Sequence, residues 1–159
     1  MNASSHDLPR SLSQLRGLFA GLPAGDRPVT GTYRAEFAGP APLRVAAPRA
    51  IALGGMRRWH GKRFAGDGTA VSVLRSPDGG GLVEHLPMTV ATESSWLDGQ
   101  PAIVVSYGSE GPIPWRWVRD EFRVQDEHTQ QRLTFVGGPG SRVGPAPVPH
   151  KPAGCPPEA

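Results

Sequence analysis

PWRWVRDEFRV, Pro114–Val124, is the stretch on which the fold turns. It reads as one long β-strand in which tryptophans, arginines and carboxylates alternate. Successive strand side chains point to opposite sides. Trp115, Trp117, Arg119, Glu121 and Arg123 therefore share one face, and Arg116, Val118, Asp120, Phe122 and Val124 the other. Neither face is purely apolar. Val118, Phe122 and Val124 mark the Asp120 face as the one turned to a core, which leaves Asp120 as a buried carboxylate in need of a cation. Arg34, Arg63 and Arg132 are the candidates on neighbouring strands. In the opposite orientation Arg119 and Glu121 form the inside pair.

Short runs of the same kind flank this stretch, each closed by a turn signal. Val29–Ala38, Arg57–Ala65, Thr69–Arg75, Gly81–Ala91 (continued by Glu93–Leu97), Pro101–Tyr107 and Gln130–Val136 read as strands. Gly66-Asp67-Gly68, Ser76–Gly80 and Asp98-Gly99 read as hairpin turns. About seven or eight strands in hairpin succession predict a mainly β protein, an antiparallel up-and-down barrel of the lipocalin-like kind. Closure removes the unpaired edges that an open sheet would expose.

A short helix precedes the strands. Ser11 is placed to cap it with Gln14 reaching back, and Leu12, Leu15, Leu18, Phe19 and Leu22 form one apolar stripe. So short a helix needs a surface to pack on, and a lid or plug against a sheet or a barrel end is its expected job. Residues 43–56 read as an irregular crossover around Pro48, with a short helix near Ala50–Leu53 as the alternative. Residues 1–10 read as disordered, 11–140 as a single domain, and 141–159 as an extended Pro-rich tail.

Gly (21) and Pro (18) are abundant among the 159 residues, yet they punctuate apolar runs instead of filling one tract. The formal charge of +3 is spread among interleaved acids and bases, which argues against nucleic acid as a partner. The lone Cys155 cannot form an internal disulfide. No signal peptide and no apolar run of membrane-spanning length stand out, so the expectation is a cytoplasmic protein without a membrane span. A second copy of the chain stays open as a partner.

Two segments carry a resemblance. Gly31-Thr32-Tyr33-Arg34-Ala35 is followed by Trp59-His60-Gly61-Lys62-Arg63-Phe64. This order resembles a bacterial family of small proteins of unknown function with a GxWxG motif in the first strand and a W-x-G-K-x-F segment later. The second motif matches throughout. In the first, Tyr33 stands for the tryptophan and Ala35 for the final glycine, as in a divergent relative. The resemblance runs over about residues 12–136, and it implies a lipocalin-like barrel without implying an activity.

Three residues are candidates for acid–base chemistry. Glu84 shares a strand face with Leu82, Leu86, Met88 and Val90 and would be desolvated if that face were interior. Asp120 poses the same question on the organising strand. His60 lies inside the matched motif and, with His85, is one of two histidines on expected strands. These two have no ligand spacing, so no metal and no cofactor is expected. The Gly-rich turns lack a phosphate-loop pattern, and no serine has a nucleophile-elbow context.

The aromatics suggest a pocket. Tyr33, Trp59, Phe64, Tyr107, Trp117 and Phe122 are the expected ligand-binding side chains, because apolar walls with a few convergent polar groups make small-molecule sites. The favoured expectation is binding of a small apolar or aromatic molecule in a barrel cavity. The alternatives are a cyclase or isomerase of secondary metabolism acting in the same cavity through Glu84, Asp120 or His60, and an interaction module working through the Pro-rich tail.

Overall fold

In the computed structural model, which describes residues 10–25, 30–126 and 129–137 and the backbone of 143–152, eight antiparallel strands follow one another around a closed barrel. They are β1 (Gly31–Ala35), β2 (Trp59–Phe64), β3 (Thr69–Arg75), β4 (Leu82–Ser94), β5 (Pro101–Ser106), β6 (Val118–Asp126), β7 (Thr129–Val136) and β8 (Val143–Pro152). Each pairs with its sequence neighbours, and β8 pairs with β1 to close the ring. The mainly β, up-and-down architecture expected from the hairpin succession is the one observed.

Closure comes from a segment that reads as a tail. Residues 143–152 pair with β7 from Gln130↔His150 to Val136↔Val143, and with β1 at Tyr33↔Pro152, Arg34↔Lys151 and Ala35↔His150. Apolar content gave no strand signal here, but the spacing of the prolines allows one. Pro145, Pro147 and Pro149 occupy alternate positions, and alternate N–H groups of a strand point to the same side. Their missing donors are thus confined to one edge, and the other edge lacks a donor only at the terminal Pro152. Residues 1–9 of the expected disordered N-terminus, and 141–142 and 153–159 of the expected tail, lie outside the described residues.

The organising stretch divides in two. Trp115–Trp117 is a 3-10 turn, and β6 begins only at Val118. From there the alternation holds. Val118 and Phe122 join the interior apolar cluster with Tyr33, Phe64, Met88, Ile103, Val105 and Tyr107, and Asp120 faces inward between them. Arg119, Glu121 and Arg123 point outward into a second network. Arg119 stacks 4.7 Å above the Trp96 ring and bonds to Glu93, to the Ser94 carbonyl and to Glu121. Glu121 also accepts from Ser95 and from the Trp96 amide. Arg123 forms a fork with Asp98 at 2.7 Å on each arm.

That outer network holds the first helix. α1 (Leu12–Ala20) starts where the capping residue places it, with Ser11 Oγ accepting from the Gln14 amide at 3.2 Å. It buries Leu15 and Phe19. Phe19 packs with Ala102, Leu133 and Phe135 on the outside of the barrel, and its carbonyl accepts from Arg123 at 3.0 Å. The helix therefore lies along the β5–β7 wall instead of plugging a barrel end, because the outward side chains of those strands supply an apolar patch and a buried cation.

The crossover between β1 and β2 is helical. α2 spans Ala41–Leu53, with Pro42 in its first turn, where no intrahelical N–H is required, and Gly54 at its end. Pro48 costs the bond that an N–H at that position would give to the Arg44 carbonyl. Five alanines and three long aliphatic side chains in the same thirteen residues outweigh it. None of its residues is buried. It lies across one mouth of the barrel, and the site is built there.

Candidate functional site

β2 begins the site. Trp59, Lys62 and Phe64 all reach the interior, and a bulge between Trp59 and Gly61 sets their phase. Gly61 is paired opposite Arg34 so closely that a methyl group in its place would overlap the Tyr33 carbonyl oxygen. The glycine thus lets β1 and β2 close tightly, which places the next residue deep in the barrel.

That residue is Lys62, fully buried. Its ammonium lies 2.9 Å from Asp120 Oδ2 and 3.1 Å from both the Tyr107 hydroxyl and the Met88 sulfur. Tyr107 Oη in turn lies 3.2 Å from Ser72 Oγ. Asp120 Oδ1 accepts from the Thr134 hydroxyl at 2.6 Å, and Arg132 Nη1 stands 3.6 Å from Oδ2, the oxygen that Lys62 holds. Burial acts to raise the pKa of this carboxyl, but the Lys62 and Arg132 cations and the Thr134 hydroxyl outweigh it and hold the group below the ordinary carboxylate range. Asp120 is therefore a carboxylate at neutral pH.

Above this polar floor lies a cavity of about 310 Å³. Trp59, Tyr107, Trp115, Met56 and Val118 form its walls, α2 roofs it with Leu43, Ala46, Ala47, Ala50 and Ile51, and Lys62, Asp120, Arg132 and Thr134 line its base. The Arg132 guanidinium stacks 5.0 Å from the Trp59 ring. Trp115 secures the roof: its indole N–H donates to the Gly54 carbonyl at 2.7 Å, just beyond the end of α2. A second hollow of about 120 Å³ adjoins between Phe37, Pro48, Ile51, Met56, Arg58 and Trp59.

The residues expected to bind ligand fall into three groups. Trp59 and Tyr107 line the cavity. Tyr33, Phe64 and Phe122 fill the barrel further along, in edge-to-face contacts of 5.4 Å between Tyr33 and Phe64 and 5.7 Å between Phe64 and Phe122. Burial pushes the Tyr33 hydroxyl up in pKa. Trp117 is half-buried and lies off the cavity, because the 3-10 turn breaks the strand alternation that would have aligned it with Trp115.

The acid–base candidates separate as well. Asp120 lines the cavity. Glu84 is on the outer surface, paired with Arg63 at 2.7 Å, since the register of β4 against β3 shifts near Pro87 and residues 82–85 are exposed. His60 also lies off the cavity, beside Arg75, whose Nε is 3.4 Å from its Nδ1. Partial burial, Arg75 and Arg34 all lower the pKa of its imidazole. His85 is exposed, so the two histidines do not face one another across the interior. Among the described residues no three side chains of the metal-binding types come together.

Sequence reasoning missed Lys62, Arg132 as a cavity residue, Trp115 and most of α2, of which it offered only a short helix near Ala50–Leu53 as the alternative. The signal for Lys62 was present: it stands two positions from Phe64 and so on the same strand face.

No family model matches the chain, and no curated protein matches it. Among solved structures, the crystal structure of a protein from Thermomonospora curvata superposes with a TM-score of 0.65 at 19% identity, over 89% of this chain and 87% of that one. The likeness is one of fold. Among the described residues no helix is long and apolar enough to cross a membrane.

Proposed function

We propose that this protein binds a small apolar or aromatic molecule in the cavity between α2 and the barrel floor. One observation carries the reading: about 310 Å³ of space is walled by aromatic and aliphatic side chains and floored by a few convergent polar groups. That volume falls at the lower end of small-molecule pockets, and the composition is theirs. The roof supports it too. α2 turns Ala46, Ala47 and Ala50 toward the cavity, and such short side chains leave the space open. The setting we propose is a reducing, cytoplasmic one, in keeping with a single cysteine.

Kinship with the GxWxG-motif bacterial proteins belongs to the same proposal. Each fixed position of the W-x-G-K-x-F segment has a task in this reading: Trp59 forms a wall, Gly61 admits β1, Lys62 forms the floor and Phe64 fills the barrel beyond it.

Turnover of the bound molecule, as by a cyclase or isomerase, draws on a separate observation. Tyr107 lines the cavity, and its hydroxyl accepts from the Lys62 ammonium beside Ser72, a contact that polarises the O–H. Asp120, already ionised and paired, would orient Lys62 in that scheme.

A neutral fluorescent probe, N-phenyl-1-naphthylamine, tests the binding reading. Saturable one-site binding is expected, and it should disappear on Ala47→Trp, which fills the roof side of the cavity. No saturable binding, or binding indifferent to that substitution, would overturn the proposal.

A further inference from the structure

We propose, on the basis of the cavity-binding reading, that the natural ligand is a monoanion: an apolar body carrying one carboxylate, received by Arg132 at the cavity floor. The charges of the floor point there. Among the described residues, Lys62 and Arg132 bring two positive charges against the single negative charge of Asp120, so the buried set holds one cation more than it has anions. An unbalanced charge away from water is costly, and an arriving anion removes that cost.

The hydrogen bonding shows which cation is open. Lys62 has three donors and three neighbours to take them, Asp120, Tyr107 and Met88. Arg132 is different. It is only 4% exposed, its approach to Asp120 is 3.6 Å, longer than a hydrogen bond, and its Nε has no hydrogen-bond partner among the described residues. Stacking on Trp59 fixes the plane of the guanidinium at the cavity floor. A planar fork of N–H groups with an unused donor matches a carboxylate, which can accept two parallel bonds.

Charge balance selects the valence. One carboxylate brings the floor to neutrality, whereas a phosphate monoester dianion would overshoot it beside Asp120. The rest of the ligand meets Ile51, Met56, Trp115 and Val118, which offer apolar contact alone apart from an indole N–H already given to Gly54.

Three ligands of matched body test the inference by calorimetry: 4-phenylbutyrate, 4-phenylbutan-1-ol and 2-phenylethyl phosphate. The carboxylate should bind at least about tenfold tighter than the alcohol, the scale of one charge-assisted hydrogen bond, and tighter than the phosphate. Arg132→Gln should abolish the preference for carboxylate over alcohol. Arg132→Lys, which keeps the charge and loses the fork, should retain part of it. Equal binding of carboxylate and alcohol by the unaltered protein, or tighter binding of the phosphate, overturns the inference whether or not the variants fold. If all three fail while N-phenyl-1-naphthylamine binds, the inference falls and the cavity reading stands. If nothing binds, both fall.

Discussion

Lys62 and Asp120 form an ion pair of 2.9 Å inside the barrel, with the lysine side chain fully enclosed and the aspartate nearly so. The pair joins β2 to β6 across the interior, between strands that are not neighbours in the sheet. Two charges in such a place depend on one another. Breaking the pair from one side strands the other charge in a low-dielectric interior, at about 3–5 kcal/mol.

Lys62→Met should therefore lose about 3 kcal/mol of folding stability, near the lower end of that range because Arg132 stands 3.6 Å from the same carboxylate. Asp120→Asn should cost at least as much, since it leaves both Lys62 and Arg132 buried without a counter-ion. Urea denaturation of the two variants and the parent measures both effects. A loss below about 1 kcal/mol for Lys62→Met would mean that the pair is not buried as described.

Acid should destabilise the protein through Asp120. Its folded pKa lies below the ordinary 3.8, so the group contributes stability in full above that value and loses it as pH falls through the folded pKa. Asp98, held down first by its hydrogen bonds from Arg123, acts in the same direction. Stability measured by urea at steps from pH 6 to pH 2.5 should fall steeply below pH 4. The fall should be shallower in Asp120→Asn. An unchanged slope in that variant would remove Asp120 from the account.

Gly61→Ala should separate β1 from β2. The added methyl would overlap the Tyr33 carbonyl oxygen, which is backbone and has no rotamer to change. A cost at or above the upper end of the about 1–3 kcal/mol usual for overpacking is expected, read as a lowered thermal midpoint. A neutral substitution would contradict the close approach.

The barrel was legible in the sequence because its two signals, period-two alternation and Gly/Asp turn pairs, are local. The inward turn of Asp120 followed from Val118 and Phe122 on the same face. What escaped was set by tertiary partners. Pro145, Pro147 and Pro149 masked β8, whose pairing depends on two strands distant in sequence. Pro48 masked α2, which packs its small side chains over a cavity that no local pattern announces. Leu82 and Leu86 on the face of Glu84 left its direction open, and the register shift near Pro87 turns it outward to Arg63. Lys62 was passed over because a lysine flanked by His60, Gly61 and Arg63 reads as surface.

The α2 roof should loosen when its latch is removed. Trp115→Phe keeps most of the ring and deletes the bond to the Gly54 carbonyl, at about 0.5–1.5 kcal/mol. Hydrogen exchange should speed up at the Gly54, Gly55 and Met56 amides, which bond back into the end of α2, and stay unchanged in β5 and β6. Equal acceleration everywhere would show a global effect instead of a local latch.

Methionine-methyl NMR tests the central claim most directly. The chain has three methionines, Met1, Met56 and Met88. Met56 lines the cavity, while Met88 packs beneath it with its sulfur against Lys62. On titration with N-phenyl-1-naphthylamine the Met56 methyl resonance should shift and saturate, and the Met88 resonance should follow with a smaller shift. A Met56 resonance that does not move at saturating probe would contradict a ligand cavity between α2 and the barrel floor.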